Sequence, residues 1–320
     1  MRFRYYEVGT EKLVLKKQYI LQSRRQMRWY LHVFADVLYT FLTKEKGPFT
    51  SKIAFVRDYR GRQEVWMMDI DGKGMRRLTN NGSLNALPAW SPNGREIAYT
   101  SWKLRNPDIF VFNTRTGRSR KISRFRGLNT GVSWSPDGSK IAFSASKSKS
   151  SMDIYVMNKN GSGTRRLTRA KWGVRNLSPS WSPDGSKIAF VSTRFSSPQI
   201  FVMNADGSSP KRITFQGNYN QAPKWSPKGD QILFTGRDEK NVFDLFLIPS
   251  MGGRAKRLTQ NQGSNIEATW SPNGRNIIFA STRSGVSKLF IMNDEGKHQF
   301  QLTFAPGKFL TPHWSKSLAR

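Results

Sequence analysis

The 320-residue sequence contains no cysteine. That excludes disulfides, thiolate zinc sites and cysteine nucleophiles, and leaves the compartment open. Histidine is nearly absent too: His32, His298 and His313 are too few and too scattered for a histidine-built metal site. Acidic residues are scarce, 21 Asp+Glu against 53 Lys+Arg, for a formal charge of +32. Such a balance disfavours a cationic partner and points to acidic ones. No apolar run approaches the roughly 18 residues of a membrane span. Residues Met1–Glu7 lack the apolar stretch and small-residue cleavage site of a signal peptide. No Gly-x-Ser-x-Gly elbow, His-Glu-x-x-His, P-loop or dinucleotide glycine pattern occurs. No catalytic residue and no cofactor is therefore expected, and an enzyme is disfavoured.

Tryptophan, by contrast, is abundant and periodic. Trp-Ser-Pro begins at Trp90, Trp134, Trp181, Trp225 and Trp270, and a sixth Trp-Ser stands at Trp314. The spacings are 44, 47, 44, 45 and 44 residues. After each Trp-Ser-Pro comes a Gly-containing turn, then an apolar run such as Ile141-Ala142-Phe143, then a second such as Ile154-Tyr155-Val156. A short basic run ending in Leu/Ile-Thr/Ser closes the unit, as in Arg165-Arg166-Leu167-Thr168. Four short strands in about 45 residues describe one blade of a β-propeller. Ser-Pro-Asp-Gly suits a type I turn with Pro second and Gly fourth. The Asp-Gly pairs at Asp71, Asp137, Asp184 and Asp206 read as turns rather than calcium loops.

Six closing runs give six blades. The first unit lacks a Trp strand and the last Trp strand has nothing after it, so the C-terminal strand should become the inner strand of blade 1 and close the ring. The expected fold is an all-β, six-bladed propeller over residues 50–320. Residues 1–49 stand outside the repeat. They read as a hairpin around Val8–Glu11 and one amphipathic helix with a Ser23/Gln26 capping box, stopped by Gly47-Pro48, a remnant of an N-terminal α/β domain. His32 and Asp36, four apart, are expected to pair on that helix.

The repeat resembles that of the TolB family, soluble periplasmic components of the Tol–Pal envelope system. The junction carries the resemblance further: His32-Val33-Phe34-Ala35-Asp36, then Leu42 through Val56, is similar to the passage from the N-terminal domain of that family into its first blade. Lys44 stands where the family usually has Gly. The front half of that domain, its signal peptide and the extreme N-terminal segment that engages TolA have no counterpart here, so Met1 is expected to be an internal start of a longer reading frame, with a truncated relative as the alternative. The resemblance implies a periplasmic, non-enzymatic scaffold that docks a peptidoglycan-associated lipoprotein, contacts other Tol proteins and supports envelope integrity, cell division and protein translocation. A monomer is expected. The alternative is a stand-alone sensing or accessory propeller that binds an anionic polymer or acidic peptide; a peptidase accessory domain comes third. No nucleic-acid motif accompanies the charge.

Chain direction places the second-to-third and blade-to-blade loops on one face, where longer loops usually carry recognition. Candidate partner-binding residues on it are Asn85, Asn129, Asn176, Asn220 and Asn265, each five residues before a repeat Trp, with Phe309 as the sixth-blade exception and His313 nearby. Trp172 and Tyr219 are the candidate anchors outside the repeat, and Arg175 of the same loops is a further candidate contact. Basic residues crowd the same loops, among them Arg57, Arg60, Arg62, Lys103, Arg105, Lys147, Lys149, Arg194, Arg237, Lys240 and Arg283 from second-to-third loops and Arg124, Arg126, Arg169, Lys171, Arg175 and Lys308 between blades. The paired bases before Leu/Ile-Thr/Ser are expected to guard open outer edges. The sixth blade has Phe300-Gln301 there, so its edge should be covered, by the N-terminal helix.

Overall fold

The computed structural model describes residues 1–148 and 151–318. Lys149 lies outside the described residues, as does the side chain of Lys147. Strands β1 (Arg2–Tyr6) and β2 (Leu13–Gln18) pair antiparallel, and α1 (Met27–Thr43) follows. Six four-stranded antiparallel sheets then succeed one another, five of them in simple sequence order from innermost to outermost strand. Lys308–Trp314 pairs with Lys52–Tyr59, so the last strand becomes the innermost strand of blade 1 and closes the ring.

The apolar runs supply the core. Ile97-Ala98-Tyr99, Ile141-Ala142-Phe143 and Ile188-Ala189-Phe190 are all at most 1% exposed. Clusters cross blade boundaries: Ala98, Ile109 and Val111 of blade 2 pack with Trp134, Ile141 and Phe143 of blade 3. The Ser-Pro turns form as read; the N–H of Gly138 donates to the Ser135 carbonyl (2.8 Å), with equivalents at Gly94, Gly185, Gly229 and Gly274.

All six innermost strands share a β-bulge two to three residues before the Trp. The bulged residues are Leu87, Gly131, Ser178, Ala222, Glu267 and Thr311, all with φ between 46° and 65°. Five of them are not glycine, so the ring holds left-handed backbone that such residues adopt only under constraint. Pro follows at 88, 179, 223 and 312, where the broken ladder needs no N–H.

The N-terminal segment seats on the tight-turn side. Phe3 stacks on Phe34 (4.2 Å between ring centres), and Tyr19 meets Tyr30. Arg28 of α1 pairs with Asp69 and Asp71 of blade 1, and Glu45 takes a two-pronged bond from Arg275 of blade 6. Four expectations change. The capping box does not form: Ser23 makes no side-chain cap bond, and Gln26 Oε1 accepts from the Gln22 N–H instead. His32 faces Asp71 (3.3 Å) rather than Asp36. Asp36 turns to the chain ahead, accepting from the N–H groups of Phe49 (2.7 Å) and Thr50 (2.9 Å), which requires the close approach of Gly47. The helix ends at Lys44, φ 62°, not at Gly47-Pro48; a left-handed cap explains why glycine suits that position. Finally, Phe300 is 56% exposed, and the contacts of α1 and of Glu45 after it go to blade 1 and to Asn273 and Arg275 of blade 6, so among the described residues the sixth outer edge stays uncovered.

Candidate docking face

The five asparagines are buried between blades, at 0–3% exposure, and each amide donates to a side chain of the preceding blade's third strand. Asn85 bonds Glu64 (3.1 Å), Asn129 bonds Asp108 (3.4 Å), Asn176 bonds Asp153 (3.2 Å), Asn220 bonds Gln199 (3.0 Å) and Asn265 bonds Asp244 (3.0 Å). The same acceptor receives the hydroxyl of the Leu/Ile-Thr/Ser run: Ser123 on Asp108 (2.9 Å), Thr168 on Asp153 (2.7 Å), Thr214 on Gln199 (2.7 Å) and Thr259 on Asp244 (2.5 Å). That hydroxyl accepts in turn from a third-strand N–H, as Thr168 does from Ile154 (3.0 Å). The repeat Asn and Thr are thus two ends of one inter-blade clamp, and these five side chains are not available to a partner.

The ring-closing junction uses different chemistry. Lys288 occupies the carboxylate position of blade 6, and its ammonium donates to the carbonyls of Ala305 (2.5 Å) and Gly307 (3.0 Å). Phe309 replaces the asparagine; it is fully buried, stacked on Phe55 with Lys288 over its face. Acid and amide have changed together to base and aromatic ring, and Phe309 therefore belongs to the core, not to a docking surface. His313 also leaves the surface set. It faces the channel, where its Nδ1 accepts the Trp90 N–H (3.2 Å), and burial holds its pKa down to about 3.

Part of the basic excess is internal as well. Lys121, Arg166 and Arg257 on outer strands are counter-ions of the buried Asp108, Asp153 and Asp244. They neutralise the clamps besides bordering the edge. On the long-loop face, Arg194 and Arg283 fold onto Phe201 and Phe290 (both 4.5 Å), Lys103 onto Phe110 (4.0 Å) and Arg237 onto Tyr219 (5.1 Å). Arg57 donates to the Pro306 carbonyl. Burial lowers the pKa of both Arg194 and Arg283, though each remains charged.

Exposed on that face are Trp172, at 87%, with Arg169, Lys171 and Arg175 around it, and Arg124, Arg126 and Lys308 on other blade-to-blade loops. Arg175 is tied down by its backbone, whose N–H donates to Thr193 Oγ1 (2.9 Å). Tyr219 is half-buried, edge-on to Phe243 (5.7 Å).

Residues 39–246 match the family model of the TolB beta propeller domain. The chain is 35% identical to the protein TolB homolog of Chlorobium luteolum, over 97% of this chain and 70% of that one. The chain belongs to the TolB family. It is also 47% identical to the Tol-Pal system protein TolB of Myxococcus xanthus, over 89% of this chain and 65% of the relative, so it spans about two thirds of the length of these TolB proteins. The crystal structure of TolB from Acinetobacter baumannii superposes with a TM-score of 0.87 at 27% identity, covering 98% of this chain and 78% of that one. An oligogalacturonate lyase at 14% identity (TM-score 0.53) shares the propeller fold alone. Within the TolB propeller of this chain, sequence reasoning missed the clamp carboxylates; each lies 21 to 23 residues before its Asn, beside the second apolar run. Among the described residues no group of three or more His, Asp or Glu could hold a metal ion, and no helix is long and apolar enough to cross a membrane.

Proposed function

We propose that this chain is a non-enzymatic scaffold of the Tol–Pal system, working in the periplasm, and that an acidic envelope lipoprotein of the peptidoglycan-associated type docks on its long-loop face. The observation that carries the reading is Trp172: a large aromatic left 87% exposed, among exposed Arg169, Lys171 and Arg175. Such a cluster offers an anchor ring within a field that steers an acidic surface. Tyr219, backed by Arg237, is a second contact on the same face. The other exposed bases of the rim add attraction at low ionic strength, screened over about 8 Å at physiological salt.

Capture of a purified peptidoglycan-associated lipoprotein tests the proposal. Trp172→Ala should weaken binding about 30-fold, the loss of one hot-spot side chain of about 2 kcal/mol. Arg175→Ala should weaken it less, and the difference should shrink as salt rises. Unchanged capture by both variants would refute the assignment of the face.

A further inference from the structure

The channel holds a second candidate site, at the end away from the long loops. The six Trp-Ser turns enclose a cavity of about 440 Å³, with Pro183, Pro227 and Lys316 exposed at its rim. Toward the long loops lies a smaller cavity of about 60 Å³. Val132, Lys224 and His313 line both, so these three form the waist of the channel.

The residue just before each repeat Trp governs bonding at this waist. Ser133, Ser180 and His313 use their side chains to accept the backbone N–H of the next blade's Trp181 (3.2 Å), Trp225 (3.1 Å) and Trp90 (3.2 Å). In those three blades the indole N–H is left without a partner among the described residues. Where Ala89 or Lys224 stands instead, the indole of Trp134 (3.1 Å) or Trp270 (3.2 Å) donates to that residue's carbonyl. Lys224 thus contributes only its backbone to the ring. Its ammonium makes no hydrogen bond and no ion pair within 4.0 Å among the described residues. Glu267 of the adjoining blade attracts it, but that carboxylate is engaged by the Thr311 N–H (2.8 Å). Burial lowers the pKa of Lys224 and raises that of Glu267, and the attraction between the two offsets only part of that cost in each. His313, held neutral, adds no second positive charge.

We infer that the waist binds a carboxylate presented through the Trp-Ser-Pro mouth, with Lys224 Nζ as its counter-ion and the Trp-Ser-Pro turns as the walls of its chain. An unpaired ammonium in a narrow, poorly solvated channel gains most from a compact anion. A volume of about 440 Å³ lies in the range of small-ligand sites. Two sources share this chemistry, an Asp or Glu side chain of a peptide and a free small dicarboxylate. The site uses the opposite mouth from the lipoprotein face and stands independently of that reading.

Calorimetric titration of the full chain at fixed ionic strength decides it, with four probes: the blocked peptide Gly-Asp-Gly, its Gly-Asn-Gly analogue, succinate and inorganic phosphate. The aspartyl peptide should bind at least about tenfold more tightly than the asparaginyl one, as close charge pairs do. Lys224→Met should abolish that preference while leaving the circular dichroism spectrum intact, since the Lys224 ammonium makes no hydrogen bond and no ion pair within 4.0 Å among the described residues; Lys224→Gln serves if the Met variant does not fold. Tighter binding of the peptide than of succinate assigns a protein source, and the reverse a free carboxylate. Trp172→Ala should leave all of this unchanged. Equal binding of the two peptides, an undiminished preference in both Lys224 variants, or phosphate outcompeting every carboxylate would overturn the inference.

Discussion

Replacing Asp108 with Ala removes the centre of one inter-blade clamp, and the structure sets its size. Asp108 is fully buried and accepts from Ser123 Oγ (2.9 Å), Asn106 Nδ2 (2.9 Å) and Asn129 Nδ2 (3.4 Å), with Lys121 Nζ at 2.6 Å. Asn129 keeps the carbonyls of Phe125 and Gly127, and Lys121, 40% exposed, can turn to water, so neither loses everything. Ser123 and Asn106 lose a charge-assisted bond inside the protein. Such bonds contribute about 1.5–3 kcal/mol each, and part of the loss is offset because a buried carboxylate no longer needs desolvating. The net cost should be about 3 kcal/mol. Gln199 performs the same role in blade 4 with a neutral amide, so Asp108→Gln should cost only about 1 kcal/mol. Urea unfolding followed by tryptophan fluorescence measures both. A loss below about 1 kcal/mol for Asp108→Ala, at unchanged m, would refute the clamp as a main tie between blades.

Three further outcomes are expected. Lys44→Gly should raise stability by about 1 kcal/mol in the same assay, because Lys44 holds φ 62° at the end of α1. Gly47→Ala should cost about 2 kcal/mol, since a Cβ there would lie 2.8 Å from the Asp36 Cα and displace the carboxylate that binds Phe49 and Thr50. His313, at about 3 against the usual 6.5, stays neutral in the fold while the unfolded chain takes up a proton, so stability should fall as pH drops from about 6.5 toward 3. His313→Gln, which keeps an acceptor for the Trp90 N–H, should flatten that slope in thermal scans between pH 6.5 and 4.5.

The repeat made the architecture readable from sequence: Trp-Ser-Pro fixed the turns, the Ile-Ala-Phe and Ile-Tyr-Val runs fixed the core strands, and the unmatched first and last units foretold the closure. The docking face was only partly readable. Asn85 and its counterparts look like free amides in sequence because their acceptors sit in the preceding blade and vary among Glu, Asp and Gln. Lys288 and Phe309 hid the sixth junction by changing both partners at once. The left-handed bulge escaped notice because Leu87, Ser178, Ala222, Glu267 and Thr311 are not residues that announce positive φ. Basic residues on outer strands resembled edge protection, yet Lys121, Arg166 and Arg257 balance acids that their own sequence neighbours do not reveal. The exposure of Trp172 was legible because it stands outside every period of the repeat.

Hydrogen–deuterium exchange of the chain with and without a bound peptidoglycan-associated lipoprotein tests the central claim most directly. Docking on the long-loop face predicts added protection around residues 169–175 and 218–220, and unchanged exchange in the Ser-Pro turns at 91–94 and 182–185. Protection confined to those turns, or to α1, would contradict it.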